Sequence, residues 1–211
     1  GGELINKKVI VQGWGNVGAS AAYYLSKLGA TIVGVIDKHG GVINEQGFSF
    51  EEIKQMFLNK ENNTLKASNL LSFSEANNLI WDVECDIFMP CAASRLLELN
   101  HVKRLLNGGV SLIASGANVP FSDKEIFYGS ISEYADNNLS LIPDFISNCG
   151  MARVFAYLME TRRPELTDKG VFTDCSDTIY NALLDCYNQN SSKLTIAATA
   201  LEISLNKLLK K

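Results

Sequence analysis

The sequence predicts an α/β fold: a mainly parallel, doubly wound sheet with helices on both faces, followed by C-terminal helices. Three observations predict it. Short β-branched runs alternate with amphipathic stretches along most of the chain. The first two runs, KKVIVQ and TIVGVI, flank a helical stretch in a unit of about 30 residues, which is the parallel strand–helix–strand building block. The 211 residues, 46% hydrophobic and 20% charged, are enough for one full core and a small appendage. That division is expected at residues 1–165 and 166–211.

The elements run in order along the chain. Residues 7–12 read as a short buried strand ended by glycines. Residues 16–28 carry Val17, Ala21, Tyr24, Leu25 and Leu28 at the spacing of one helical face. Lys27 suits the negative end of that helix and Gly29 its stop. Residues 31–36 form the second strand. Gly40 and Gly41 read as a turn opening a small extended excursion, with Val42 and Ile43 as its apolar residues. Ser49 is placed to cap a helix over residues 50–58. Residues 59–69, NKENNTLKASN, are polar and read as the surface loop expected to move most. Further strands are expected at 86–89, 110–114 and 139–142, with helices between them. A polar break over 162–170 contains Pro164. Two helices should come after it, at about 177–187 and 193–209. On the second, Leu194, Ala197, Ala198, Leu201, Leu205 and Leu208 define an apolar face that needs a partner. The chain shows no internal repeat and no low-complexity segment.

Composition removes several function classes. A formal charge of −4 does not suit a nucleic-acid surface, which needs a basic patch against phosphates. No apolar run reaches the roughly 18 residues of a membrane span. The first eight residues lack the apolar centre of a signal peptide, so a cytoplasmic protein is expected. Five scattered cysteines (Cys85, Cys91, Cys149, Cys175 and Cys186) and two histidines (His39 and His101) show no metal-ligand spacing. No metal is expected, and the cysteines read as free or buried thiols.

The most informative run is Gly13-Trp14-Gly15-Asn16-Val17-Gly18. In a G-x-G-x-x-G placed between strand and helix, the first glycine permits the tight turn. The second lets backbone approach a pyrophosphate, and the third lets the helix pack close to the sheet. The N-terminus of the helix that begins there offers free N–H groups and partial positive charge. Asp37 ends the second strand, 19 residues past Gly18, close to the spacing at which a carboxylate meets ribose hydroxyls. These residues point to a dinucleotide cofactor held by a Rossmann-type domain. A carboxylate at Asp37 accepts the ribose 2′-OH and repels a 2′-phosphate, which favours NAD. Lys38 and His39 beside it leave NADP possible.

Beyond the fingerprint, the chain resembles the Glu/Leu/Phe/Val dehydrogenase family over nearly all of that family's nucleotide-binding domain. VIVQGWGNVG together with Gly34-Val35-Ile36-Asp37 is similar to the family's opening. KHGGVINEQG (38–47) resembles the segment after its second strand. Asp86-Ile87-Phe88-Met89-Pro90-Cys91-Ala92 resembles D-I-[FL]-[IV]-P-[AC]-A. Gly116-Ala117-Asn118-Val119-Pro120 matches G-A-N-x-P, and Pro143 to Gly150 resembles P-D-x-x-x-N-[AC]-G. Each motif stands at or just beyond a predicted strand's C-terminal end, the edge where open α/β sheets bind ligands. The resemblance implies that Cys91 and Ala92 pass beside the cofactor and that Asn118 and Asn148 hold its nicotinamide end. Neutral amides suit that place because they bind ribose hydroxyls without adding charge beside a hydride acceptor.

The implied reaction is reversible oxidative deamination: an L-amino acid passes a hydride to NAD or NADP, and the imine hydrolyses to a 2-oxo acid and ammonia. The family's catalytic Lys and Asp lie in an N-terminal domain that this chain is expected to lack, so no catalytic residue is assigned. The parent is expected to share the amino acid between two domains and to form a homo-oligomer. Four departures bear on the substrate. Arg95 replaces an Asn, Ser115 a Glu and Met151 a second Gly, while Phe155 stands where glutamate dehydrogenases carry a substrate-contacting Ser. They leave a substrate side that is apolar, unusual or degraded, and Met151 with Phe155 would favour apolar side chains such as those of Leu, Val or Phe over glutamate. Two rival readings are a sensing module that binds NAD without chemistry and another Rossmann oxidoreductase, of malic-enzyme or methylene-tetrahydrofolate-dehydrogenase type.

Overall fold

The computed structural model describes residues 3–160 and 167–209. Five strands run parallel: β1 (Lys8–Gln12), β2 (Thr31–Asp37), β5 (Ile87–Pro90), β6 (Leu112–Ala114) and β7 (Ser140–Ile142). With β3 (Gly40–Phe48) and β4 (Leu71–Ser72) they form one seven-stranded sheet in the order β4-β3-β2-β1-β5-β6-β7. The α/β class and the mainly parallel sheet are therefore as expected.

Alternation along the strands builds two cores. In β1, Val9 and Val11 face one side and Ile10 the other. The first side packs on α1 (Asn16–Lys27) through Ala19 and Ala22, and on α2 (Phe50–Leu58) through Ile53 and Met56. The second packs on α3 (Phe73–Leu79), a 3-10 turn at Ile80–Asp82, α4 (Leu99–Asn107) and α5 (Ser130–Asn138). Each fully buried Val, Leu or Ile contributes roughly 1.5–3 kcal/mol relative to exposure, so strands buried on both faces are held strongly.

The region after β2 differs from expectation. Gly40 and Gly41 do not open a small excursion; they belong to β3, a nine-residue antiparallel strand beside β2. A Cβ on Gly40 would sit 2.2 Å from the Leu71 carbonyl oxygen, and one on Gly41 2.7 Å from that of Val35. The pair permits close strand approach and is not a turn. β4 and α3, which follow α2, have no individual signal in the sequence reading. Both α2 and α3 begin with full capping boxes, Ser49 with Glu52 and Ser72 with Glu75, in which side chain and backbone satisfy each other's free N–H groups.

The polar stretch 59–69 is a loop, as expected, but an anchored one. Leu65 within it is completely buried, and the Leu65 N–H donates to Asp37 Oδ2 at 2.6 Å.

The C-terminal part comprises α6 (Asp144–Ser147), α7 (Gly150–Met159), α8 (Asp168–Gln189) and α9 (Ile196–Leu209). Residues 162–166 of the expected break, and the expected domain boundary after 165, lie outside the described residues. α8 starts well before residue 177, because Thr167 caps it by accepting from the Gly170 N–H at 3.1 Å. On α9 the buried face is also corrected. Ala197 and Ala200 face inward, whereas Leu205 and Leu208 are 50% and 68% exposed. Arg153 ties α7 to α8 through an ion pair with Asp174. No helix among the described residues is long and apolar enough to cross a membrane.

Candidate functional site

The chain leaves β1 for β2 on one side, while β5 pairs with β1 on the other. This reversal is the point at which an open parallel sheet leaves a crevice beyond its strand ends. Here the crevice is a cleft of about 460 Å³. Gly13, Trp14, Gly15, Asp37, Lys38, Cys91 and Ala92 line it.

The three fingerprint glycines do different things. Gly13 has φ +103°, and a Cβ there would meet the Cys91 oxygen and the Ala92 nitrogen at 2.8 Å, so the turn and the approach to β5 both require glycine. A Cβ on Gly18 would lie 1.9 Å from the Gly13 oxygen, so this residue seats α1 against the loop. It is a packing residue and offers no surface. Gly15 is unlike both. Its backbone is ordinary, φ −74° and ψ −164°, and a Cβ would meet nothing within 4 Å. Nothing in the protein itself requires glycine at 15. Gly15 is also the N-cap of α1, with no side-chain cap and no acid in the first turn, so no capping side chain serves the free N–H groups there.

The remaining expected residues separate into groups. Trp14 is 1% exposed and its indole N–H donates to the Met56 oxygen at 3.3 Å, so its polar side-chain atom is committed to α2. Asn16 and Val17 are exposed on the first turn of α1, and Asn16 Oδ1 accepts from Lys60 Nζ at 2.8 Å. Asp37 is 7% exposed. Its Oδ1 accepts from the N–H groups of His39 (2.7 Å) and Gly40 (3.1 Å), and its Oδ2 accepts from Leu65. Cys91 is buried, and that burial pushes its thiol up to about 12, which removes it as a nucleophile at neutral pH.

Asn118 and Asn148 do not line this cleft. They meet each other further along the strand ends, beyond β6 and α6, where Asn148 Nδ2 donates to Asn118 Oδ1 at 2.7 Å. The Val119 N–H, donating to Asp144 Oδ2 at 2.7 Å, ties the two loops together. Gly116 brings this pair toward the fingerprint, since a Cβ there would crowd Cys91 Sγ at 2.7 Å and Val17 Cγ1 at 3.0 Å. Just beyond, α7 leaves Met151 and Phe155 exposed.

The far wall has no counterpart in the sequence reading. It consists of Phe73 and Asn77 from α3, Trp81 from the 3-10 turn, Leu96 from the loop after β5, and His101 from α4. His101, one of two histidines without ligand spacing, stacks on Trp81 with centroids 4.0 Å apart and planes 12° apart. Its Nδ1 accepts from the Glu98 N–H at 3.2 Å, closing the cap of α4. Burial lowers its pKa.

A family model described as Glutamate/Leucine/Phenylalanine/Valine dehydrogenase matches residues 1–211. The chain belongs to that family. It is 36% identical over 127 residues to the NADP-specific glutamate dehydrogenase of Haemophilus influenzae, covering 57% of this chain and 28% of that protein. It is 29% identical over 157 residues to the NAD-specific glutamate dehydrogenase A of Halobacterium salinarum, covering 74% and 33%. Among solved structures, a glutamate dehydrogenase superposes with a TM-score of 0.74 at 20% identity, over 98% of this chain and 47% of that one. Members of the dehydrogenase family thus share this fold, and the chain spans less than half the length of these relatives.

Proposed function

We propose that this chain is the cofactor-binding half of an NAD(P)-dependent amino acid dehydrogenase acting by reversible oxidative deamination. The observation that carries the proposal is Gly15. Its missing side chain serves no packing need, yet it stands where the uncapped N-terminus of α1 meets the cleft, the place a pyrophosphate would occupy. Bound there, the cofactor supplies a hydride acceptor for the amino acid's Cα. The protein's own part is to hold and orient it.

Gly13 to Asn16 would receive the diphosphate on backbone N–H groups. Asp37 carries about four lone-pair positions, three of them used by backbone N–H groups, and the fourth suits a ribose hydroxyl. This supports NAD, with Lys38 on the same wall keeping NADP possible; the relatives are named for both. Ala92 would pass beside the cofactor, and the hydrogen-bonded pair Asn118 and Asn148 would fix the nicotinamide end. The exposed Met151 and Phe155 favour an amino acid with an apolar side chain over glutamate. The acid and base groups would come from a second domain of an oligomeric parent. Five free thiols suit a reducing compartment such as the cytoplasm.

The test is Gly15→Val. The fold has room for the side chain and the backbone angles suit a β-branched residue, so the variant should keep its thermal midpoint. It should lose NAD and NADP binding in titration calorimetry, because valine occupies the diphosphate's space. A folded Gly15→Val with wild-type affinity would reject this binding mode.

A further inference from the structure

Among the described residues, Lys60 is a cation beside the cleft without an acidic partner, as is Lys38 on its wall. Lys60 comes just after α2, and its half-buried side chain bonds two neutral amide oxygens, Asn16 Oδ1 at 2.8 Å and Asn63 Oδ1 at 3.2 Å. Among the described residues it forms no ion pair. The nearest acid in sequence, Glu61, pairs instead with Lys66 at 3.7 Å. Asn16 belongs to the first turn of α1, a positive helix end without an acidic residue. A cation held against such an end is unfavourable until an anion arrives.

The surrounding turn places this group firmly. Asn62 and Asn63 both have positive φ, 49° and 58°, and the Thr64 N–H donates to the Glu61 oxygen at 2.8 Å. That is the geometry of a tight turn with two left-handed central residues, which asparagine tolerates. Completely buried Leu65 is next, its N–H on Asp37. Asn63 lines the same 460 Å³ cleft as Gly15 and Lys38. The turn is therefore fixed at its base to the carboxylate expected to meet the ribose, with its lysine reaching the fingerprint helix.

We propose that Lys60, aimed by Asn16 and Asn63, is a phosphate-binding cation of this cleft and closes over a phosphate of the bound dinucleotide. The inference rests on the cofactor reading above and adds to it a residue outside the fingerprint. Two phosphates share the required chemistry: the diphosphate common to NAD and NADP, and the 2′-phosphate of NADP alone.

The experiment measures dissociation constants of NAD, NADP, ADP-ribose and 2′,5′-ADP by calorimetry on wild type, Lys60→Gln and Lys60→Arg. Lys54→Gln, on α2 and paired with Glu51, serves as the control. A charge-assisted hydrogen bond lost at a phosphate should weaken binding about ten-fold or more. A loss for NAD and ADP-ribose in Lys60→Gln assigns the lysine to the diphosphate, and a loss confined to NADP and 2′,5′-ADP assigns it to the 2′-phosphate. Either supports the proposal, and Lys60→Arg should retain most of the affinity. The wild-type constant should also weaken more steeply with salt than that of Lys60→Gln. If wild type binds the ligands and Lys60→Gln binds all four equally well, Lys60 has no such role while the cofactor reading stands. If wild type binds none of them, the cofactor reading itself fails, and this inference with it.

Discussion

Asp37 and His101 each serve the fold and the cleft at once. The Asp37 carboxylate is the acceptor for three backbone N–H groups, two in its own turn and one in the loop at Leu65. Replacing it therefore removes a structural hub along with any ribose contact, which makes Asp37 a poor site for isolating cofactor choice. His101 is more tractable. Its Nδ1 must stay unprotonated to accept from the Glu98 N–H, and burial against Trp81 lowers its pKa below the usual histidine value. The folded protein then binds this proton more weakly than the unfolded chain does. The stability it contributes is present above about pH 6.5 and is lost as pH falls through the lower folded value. His101→Gln keeps an acceptor at the same cap position and does not titrate. The fall in thermal midpoint between pH 7.5 and 5.5 should be smaller in His101→Gln than in wild type. Equal falls would mean that the imidazole keeps its solvent behaviour. The sequence does not disclose this role, because a single histidine in a helical stretch carries no spacing signal. Only the 3-10 turn places Trp81 beneath it.

Among the elements, legibility tracks local information. β1, α1 and β2 are readable because β-branched runs, a 3.6-residue period and Gly29 all agree. α2 is readable to the residue because Ser49 announces its start, where the structure adds Glu52 to complete the capping box. β3 is not, because Gly40 and Gly41 look like turn residues, whereas their reason lies across the sheet at Leu71 and Val35. The inward face of α9 is hidden for a similar reason. Its start is held by Asp136 on α5, which accepts from the Ala197 N–H (3.0 Å) and the Ala198 N–H (2.9 Å), and from the Tyr128 hydroxyl at 3.1 Å. The cap thus comes from some sixty residues away, beyond the reach of any local pattern, and it sets which face turns inward. Asp136 is completely buried, and burial raises its pKa despite these bonds. Asp136→Ala would leave two helix N–H groups and a hydroxyl without their acceptor. Capping losses and unsatisfied buried donors each cost about 1–2 kcal/mol, so urea denaturation should show a loss of at least that size. A variant within error of wild type would mean that α9 needs no remote cap.

For the whole molecule, the groups present along the sheet edge and those missing from it argue in the same direction. The fingerprint loop, the β5 end and the two asparagine loops lie in sequence along the C-terminal ends of β1, β5, β6 and β7, in keeping with the order of the motifs. They form one wall, with binding groups that are backbone N–H groups, amides and a carboxylate already committed to hydrogen bonds. Deamination asks for more: a base for the amine, and the amino acid's Cα held close to the nicotinamide. Next to Asn118 and Asn148, α7 offers Met151 and Phe155, which cannot move a proton. Arg153, in the same helix, is occupied by Asp174 and Glu160. Cys149 has its thiol raised by burial, so it remains protonated at neutral pH. Positioning and proton transfer together account for many orders of magnitude in rate, and neither is assembled along this edge. We therefore expect this chain alone to bind the dinucleotide and yet produce no NADH or NADPH from any L-amino acid. The assay monitors absorbance of the reduced cofactor across a panel of amino acids, for this chain and for a protein that joins it to a family catalytic domain. Turnover by this chain alone would show a base that the present geometry does not contain. If the joined protein is active, leucine, valine or phenylalanine should exceed glutamate, because an apolar α7 face gains from burying an apolar side chain and has no free cation for a second carboxylate.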